Sequence, residues 1–385
     1  MNAMRKSLKI SLVILAVVLV LSTVFAAGCL VSFNTAASKG LNADLINQAW
    51  KVLSSDYVLP DKIDSTILTQ GAIKGMVQSV DDPYSYYLNP REYKLTQGDF
   101  ASSFGGIGAT LNKNKDKQPI IVNTLPNTPA EKAGLKSNDI ILAVDGKTTQ
   151  DLTTDQVVSL VRGVIGTKVK LLILHDGDKL PVEIEIVRAE ISPNSVNYHM
   201  EGDIAYIQIL NFHAKTNDEF QAALNNLDIT KAKGIIVDLR NNPGGYVNVV
   251  VDIASHFIKE GVIITMRDNN GNTKSTSVNP NGTFTTLPMV VLVNQYSASG
   301  SEVLSGALQD YSRATIAGTV TFGKGSYDTF FPLTDGSAIY LTIGRWLTPK
   351  GREIEGKGIT PEITLTQTGD DAVKWAVDYL RQAKP

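Results

Sequence analysis

The chain carries a single cysteine, Cys29, in 385 residues, which excludes an intrachain disulfide. It has four histidines, His175, His199, His213 and His256, spread without metal-ligand spacing. There is no H-E-x-x-H and no cysteine pair, so nothing suggests a metal site. The formal net charge is only -2 and there is no basic block, which leaves nucleic-acid binding without electrostatic support. No long internal repeat and no low-complexity tract is present. What remains is a globular composition, 43% apolar and 19% charged, long enough for two or three domains.

The one long apolar run lies at the start. Arg5, Lys6 and Lys9 precede residues 10–33, which contain no charged side chain. That length suffices for a membrane span, and the preceding positive charges favour a cytoplasmic N-terminus with the remainder extracytoplasmic. An uncleaved single-pass anchor ranks first. A lipoprotein processed at the Ala-Ala-Gly-Cys sequence before Cys29 ranks second, and a cleaved secreted or periplasmic form third.

Residues 34–41 read as a linker. Residues 42–95 show helical spacing in Leu45, Ile46, Ala49, Trp50 and Leu53, then in Ile67, Ala72 and Met76. The region closes on D-D-P-Y-S-Y-Y-L-N-P-R-E-Y (81–93), whose tyrosines read as packing for it. Residues 96–190 change character. Short β-rich runs at 107–111, 120–122, 140–144, 169–174 and 180–186 are separated by turns. Helical patterns at 129–133, ended by Gly134, and at 154–162, capped by Thr153 or Thr154, interrupt them. Residues 191–366 alternate strands (204–210, 234–239, 287–293) with helices (217–227, 247–257, and one from Ser301), which predicts α/β architecture. An amphipathic helix over 370–382, within a terminal segment 367–385, ends the chain.

Two segments carry chemistry. The apolar run 287–293 stops at N-Q-Y-S-A-S-G-S-E and a helical pattern follows. A serine on such a turn is exposed, and the helix N-terminus offers partial positive charge to an oxyanion. Lys324 lies in the Gly-flanked loop T-F-G-K-G-S, 25 residues after Ser299. Together they suggest a serine nucleophile served by a lysine base. The second segment is R-N-N-P-G-G (240–245), a Pro-Gly-Gly turn after a buried strand. Such a turn presents unpaired N–H groups, and glycine permits close approach.

Residues 128–147, T-P-A-E-K-A-G-L-K-S-N-D-I-I-L-A-V-D-G-K, resemble the PDZ domains of bacterial proteases. F-G-G-I-G-A (104–109) stands where such domains hold their carboxylate-binding loop, which implies peptide binding at Gly106, Ile107 and Gly108. Successive backbone N–H groups there would capture a C-terminal carboxylate, and the peptide would add as a strand beside 107–111.

A PDZ domain ahead of an α/β core with Ser299 and Lys324 resembles the C-terminal processing peptidases, or tail-specific proteases. The resemblance covers residues 42–382 and rests on D-P-Y-S-Y-Y-L, the PDZ signature, D-L-R-N-N-P-G-G, S-A-S-G-S-E and T-F-G-K-G-S in the family's order. It implies a multidomain α/β protein with an N-terminal helical segment, a β-rich PDZ domain with two helices, and a protease core resembling the crotonase-type fold. Ser299 would be the nucleophile, Lys324 the general base, and Ser297 and Ser301 supporting or capping residues. N–H groups of Gly300 and of the Gly244–Gly245 turn would form the oxyanion hole. No cofactor and no metal is implied. The substrates would be proteins with exposed C-terminal tails, and the helical region would serve a homodimer by analogy with relatives. Arg162, in R-G-V-I-G-T, matches a family arginine that couples the PDZ domain to the active site; its other reading is a solvated charge at a helix end.

One position departs from the family. Where K-G-x-x-Q is usual, this chain has Asp328. A neutral amide orients the lysine, whereas an ionised carboxylate favours its protonated form and opposes its use as a base. Asp328 is either protonated or turned away, leaving a working dyad; or it replaces the glutamine at the cost of a more alkaline profile; or the enzyme is weak or inactive. The working dyad is favoured. Val320, Phe322, Phe330 and Phe331 are expected to give Lys324 an apolar wall. The alternative functions are a peptide-binding PDZ adaptor with a degenerate protease core, and an acyl-CoA enzyme, which the export signal and the PDZ domain disfavour.

Overall fold

The computed structural model describes residues 41–100, 103–227, 229, 231–280 and 284–382. The anchor or signal expected over residues 1–33, with Cys29, lies outside the described residues. Among the described residues no helix is long and apolar enough to cross a membrane. The chain divides into two units, one ending at Ala72 and the other beginning at Ile73. In the first, α1 (Ala43–Asp56) starts at Asn42, whose Oδ1 accepts the Leu45 N–H at 3.1 Å. Its apolar side chains Leu45, Ile46, Trp50 and Leu53 are exposed. A 3-10 turn at Pro60–Lys62 precedes α2 (Ser65–Gln78), which spans the division.

The second unit opens with β1 (Tyr86–Leu88) and α3 (Pro90–Phe100). Here the structure corrects the reading of the tyrosine segment as packing for the helical region. Tyr86–Leu88 is a strand, paired antiparallel with the strand Ala338–Leu347 far along the chain. Tyr86 meets Tyr340 at 5.1 Å between ring centroids, and Tyr93 meets Phe330 at 5.4 Å. A three-residue strand is too short for its alternation to distinguish strand from turn without its partner.

The β-rich domain runs β2 (Phe104–Gly106), β3 (Ala109–Lys113), β4 (Pro119–Thr124), α4 (Pro129–Lys132), β5 (Ile140–Val144), β6 (Lys147–Thr148), α5 (Thr154–Val161), β7 (Lys168–Leu174), β8 (Val182–Val187) and β9 (Ala189–Ile191). Its main sheet has the order β3-β4-β5-β7-β8, with β6 on β5, and leaves β3 at an edge. β7 alternates strictly: Val169, Leu171 and Ile173 are buried while Lys168 and Lys170 face out. Thr153 caps α5 in a capping box with Gln156. The strand expected over 107–111 is interrupted. Ile107 turns into the domain core, Gly108 takes φ +80°, and the ladder begins only at Ala109. β2 pairs with β9, joining the start of the domain to its exit.

The remaining chain forms the core: β10 (Val196–Glu201), β11 (Ile204–Ile209), α6 (Thr216–Asn226), β12 (Gly234–Asp238), α7 (Val247–Ala254), β13 (Val262–Asp268), β14 (Thr273–Ser277), β15 (Met289–Val293), α8 (Gly300–Asp310), β16 (Thr315–Gly318), β17 (Ser326–Pro332), β18 (Ala338–Leu347), β19 (Ile363–Thr364) and α9 (Gly369–Gln382). One sheet has the order β10-β11-β12-β15-β16-β19 and is parallel from β11 onward. Side chains of α6, α7 and α8 pack on one face and those of α9 on the other. Strands β12 and β15 are buried at every position because both faces are covered. The sequence patterns did not reveal a second sheet, β1-β18-β13-β14 with β17 on β18, all antiparallel.

Phe212, between β11 and α6, is fully buried. Its N–H donates to Gly244 O at 2.9 Å and its carbonyl accepts Tyr246 N–H at 2.8 Å. Its ring also lies beneath Gly300, where an added Cβ would stand 3.2 Å from it. Phe212→Ala is expected to cost about 3–5 kcal/mol, measured by urea unfolding, since it empties the floor below the start of α8.

Candidate active site

Strand β15 delivers the chain to a turn that its own polar side chains build. Asn294 Oδ1 accepts the N–H groups of Tyr296 and Asn241, and its Nδ2 donates to Asn241 Oδ1 at 2.9 Å. Ser297 is buried and donates to Leu239 O at 2.8 Å; Ser301 is buried and donates to Asn242 O at 2.9 Å. Both serines thus brace the loop. Ser299, between them, caps α8 with φ 50° and ψ -110°, a conformation that L-residues rarely adopt. That strain holds a half-buried serine at the helix N-terminus.

The glycine turn lies against it. Asp238 is fully buried and forked by Arg240, while Asn242 Nδ2 donates to Ile209 O at 2.8 Å. Asn242 Oδ1 accepts the Gly244 N–H at 2.8 Å. This narrows the expected oxyanion donors, because the Gly244 N–H is already engaged. Among the described residues the N–H groups of Gly245 and Gly300 make no hydrogen bond. Gly244, at φ 104°, is needed for closeness: an added Cβ would stand 2.7 Å from Gly300 N and 2.9 Å from Ser299 Cβ. At Gly245, φ 147°, a Cβ would overlap the Phe212 carbonyl.

Lys324 is mostly buried, and its Nζ pairs with Asp328 Oδ2 at 2.6 Å. Asp328 is therefore not turned away. The ring over Nζ is that of Tyr84, 4.6 Å to its centroid. The expected apolar wall is not formed as read: Val320 (45%), Phe322 (53%) and Phe331 (46%) are exposed, and Phe330 packs at a tilt against the rings of Tyr93 and Tyr340. Side chains at 320, 322 and 331 follow a loop and a twisted strand whose facing the sequence does not fix. Among the described residues no hydrogen bond joins Ser299 Oγ to Lys324 Nζ.

Glu302, missed in the sequence, connects the two loops. It is fully buried. Oε2 accepts Ser299 N–H and Lys324 N–H, each at 2.9 Å; Oε1 accepts Gly323 N–H at 2.7 Å and the Thr321 hydroxyl. Burial pushes its carboxyl above the ordinary value, and the hydrogen bonds from Thr321, Gly323, Ser299 and Lys324 pull it back. Four donors on two oxygens call for the ionised form. The available signal was an acid three residues after Ser299, the reciprocal position of a helix cap.

In the PDZ-like domain, Gly106 ends β2 and the side chain of Ile107 belongs to the core. The carbonyls of Ile107 and Gly108 accept Ala130 N–H at 2.7 Å and Leu125 N–H at 2.8 Å. Their own N–H groups make no hydrogen bond among the described residues, and the free edge of β3 follows directly. Arg162, just after α5, sets its guanidinium 3.8 Å from the ring centroid of Phe104. Arg91 donates to Ser159 O at 2.7 Å, so α3 is tied to the end of α5.

Comparison with known proteins agrees with this layout. A model described as Peptidase family S41 matches residues 203–365, a PDZ domain model matches residues 99–174, and the model of the activating protease CtpB N-terminal domain matches residues 31–91. The chain is 36% identical to the carboxy-terminal processing protease CtpA of Bacillus subtilis (strain 168) over 365 residues, 94% of this chain and 78% of that protein. It is also 36% identical to the carboxy-terminal processing protease CtpB of the same organism, over 84% of this chain and 68% of that protein. Among solved structures, a photosystem II D1 C-terminal processing protease is similar with TM-score 0.52 and 29% identity, covering 83% of this chain and 92% of that one.

Glu302→Gln would turn an NH2 toward two N–H donors and leave one oxygen to do the work of two. Expected is a loss of about 1–3 kcal/mol in urea unfolding, together with a fall in turnover as the Ser299 and Lys324 loops part.

Proposed function

This chain belongs to peptidase family S41, the carboxy-terminal processing serine proteases, and from that premise we propose that Ser299 is its nucleophile and Lys324 its general base. It is a serine-type peptidase with a PDZ domain that acts on protein or peptide substrates. The observation that carries the residue assignment is the strained Ser299 cap, flanked by the two unengaged N–H groups of Gly245 and Gly300. Unengaged backbone donors on the turn that packs against a serine cap suit the oxyanion of a tetrahedral intermediate.

In this reading Ser299 Oγ attacks the scissile carbonyl and neutral Lys324 takes its proton. The oxyanion rests on the Gly245 and Gly300 N–H groups, with the N-terminus of α8 adding positive potential. Collapse breaks the C–N bond, the lysine protonates the leaving amine, and an ester on Ser299 remains. Water, deprotonated by the lysine, then releases the new C-terminus. Nζ has to exchange its Asp328 contact for Ser299 Oγ.

The substrate tail is read as a strand added to the free edge of β3, its carboxylate on the Ile107 and Gly108 N–H groups at the end of the Gly106 turn. Arg162 is assigned the coupling of this groove to the core, since it stacks on the first residue of β2, the strand that meets the domain exit. The apolar residues 10–33 would hold the chain on the extracytoplasmic face of the membrane, where the exposed apolar face of α1 would serve a homodimer. A second reading, a peptide-binding adaptor, is favoured by one observation: Nζ bonds Asp328 and not Ser299.

Cleavage of an unfolded protein with an apolar C-terminus, followed from pH 6 to 10, tests these readings. Ser299→Ala and Lys324→Ala should each lower kcat/KM by about a thousandfold or more. Asp328→Gln should move the acid limb of the profile down by about one pH unit. Absence of wild-type turnover at every pH, with tight peptide binding and a gain of activity in Asp328→Gln, would establish the adaptor instead.

A further inference from the structure

Asp328 does not meet Lys324 unaided. Its Oδ1 accepts the Thr342 hydroxyl at 2.7 Å while its Oδ2 holds Nζ. The Thr342 N–H in turn donates to Ser85 Oγ at 3.0 Å, and the Ser85 hydroxyl donates to Asp82 Oδ2. These contacts link Asp82, Ser85, Thr342, Asp328 and Lys324, with Thr342 donating at both ends, its N–H to Ser85 and its hydroxyl to Asp328. Ser85 and Asp328 are almost wholly buried. The backbone is shaped for this contact. Between β17 and β18 the register runs Tyr327↔Gly344 and then Asp328↔Thr342, bulging past Ile343. Without that bulge Ile343 would stand opposite Asp328. On the other side of β18, the pairing of β1 brings Ser85 to Thr342.

We propose that Thr342 and Ser85 are positioning residues that aim Asp328 at Lys324, and that the D-P-Y-S segment thereby sets the pH range in which the peptidase works. This rests on Lys324 being the general base. A hydroxyl that donates to Asp328 Oδ1 fixes its rotamer and so holds Oδ2 against Nζ. Further titratable and charged groups face the pair. Burial, with the charge and hydrogen bond of Asp328, pushes the Tyr340 hydroxyl above the usual tyrosine range, and burial with Asp328 raises Tyr86. Tyr84, whose ring covers Nζ, is raised by burial and by Glu355, Glu302, Asp82 and Asp328. Asp82, against the upward push of burial, is held below the usual carboxylate range by hydrogen bonds from Ser85 and the Tyr84 backbone and by Arg345. Asp328 is the carboxylate that touches Lys324, and the Thr342 hydroxyl bonds its other oxygen.

The test is a double-mutant cycle read by the pH profile of kcat/KM on the full-length chain. Thr342→Val removes the hydroxyl and keeps both the shape and the N–H to Ser85. Expected is a downward move of the acid limb by about one pH unit, a smaller move in Ser85→Ala, and a wild-type profile in Thr342→Ser. In the Asp328→Asn background Thr342→Val should shift nothing further. An unshifted profile in Thr342→Val, or an equal shift in both backgrounds, overturns the proposal while leaving the dyad standing, provided Lys324→Ala is inactive. An active Lys324→Ala overturns the dyad and the proposal together. Should Thr342→Val fail to fold, the same cycle with Ser85→Ala decides, with the same two outcomes.

Discussion

The carboxylate of Glu302 is the interaction on which the rest of the site depends. It sits inside the first turn of α8 and binds N–H groups from both the serine loop and the lysine loop. Neither loop has regular hydrogen bonding of its own, so each needs its backbone donors satisfied from elsewhere. One buried anion does this for both. Placing it there costs desolvation, which the raised carboxyl expresses. The cost is offset because removing the anion would orphan four donors at once.

A second set of contacts shapes the opposite wall. Asn241 and Asn294 clasp each other across two loops, and Asn242 takes the Gly244 N–H out of play. These side chains act on backbone, which explains why the turn is so fixed: Gly244 touches the serine loop and Gly245 touches Phe212 with no space for a Cβ. The donors left over are the useful ones. Backbone donors that a local network does not consume are the ones free to meet a ligand.

The lysine's surroundings conflict with the simplest idea of a lysine base. A general base has to be neutral, and an apolar shell would favour that form. This chain instead surrounds Lys324 with Asp328, an aromatic ring and further carboxylates bearing on that ring. In this arrangement Nζ meets Asp328, and among the described residues no hydrogen bond joins it to Ser299 Oγ. Within the PDZ-like domain β2 pairs with β9, and Arg91 of α3 donates to Ser159 O in α5.

The sequence by itself determined much of this protein. Period-2 and period-3.6 apolar patterns located β7, β12, β15, α6 and α9 because burial on a defined face imposes those periods. Thr153 marked the start of α5, and the motif spacing located Ser299, Lys324 and the glycine turn. Asp328 was visible as a charged residue four positions after the lysine. What only the tertiary structure decided was pairing. The antiparallel sheet that carries β1 and β18 left no readable trace, since a strand's alternation gives its face and not its partner. Ser85 reaches Thr342 across 257 residues of sequence, and a bulge at Ile343 selects which side chain meets Asp328. Glu302 read as an ordinary helix residue until the two loops were brought to it. Local propensity acts over a few residues, whereas the partners of a buried charge are set by which distant strands close around it.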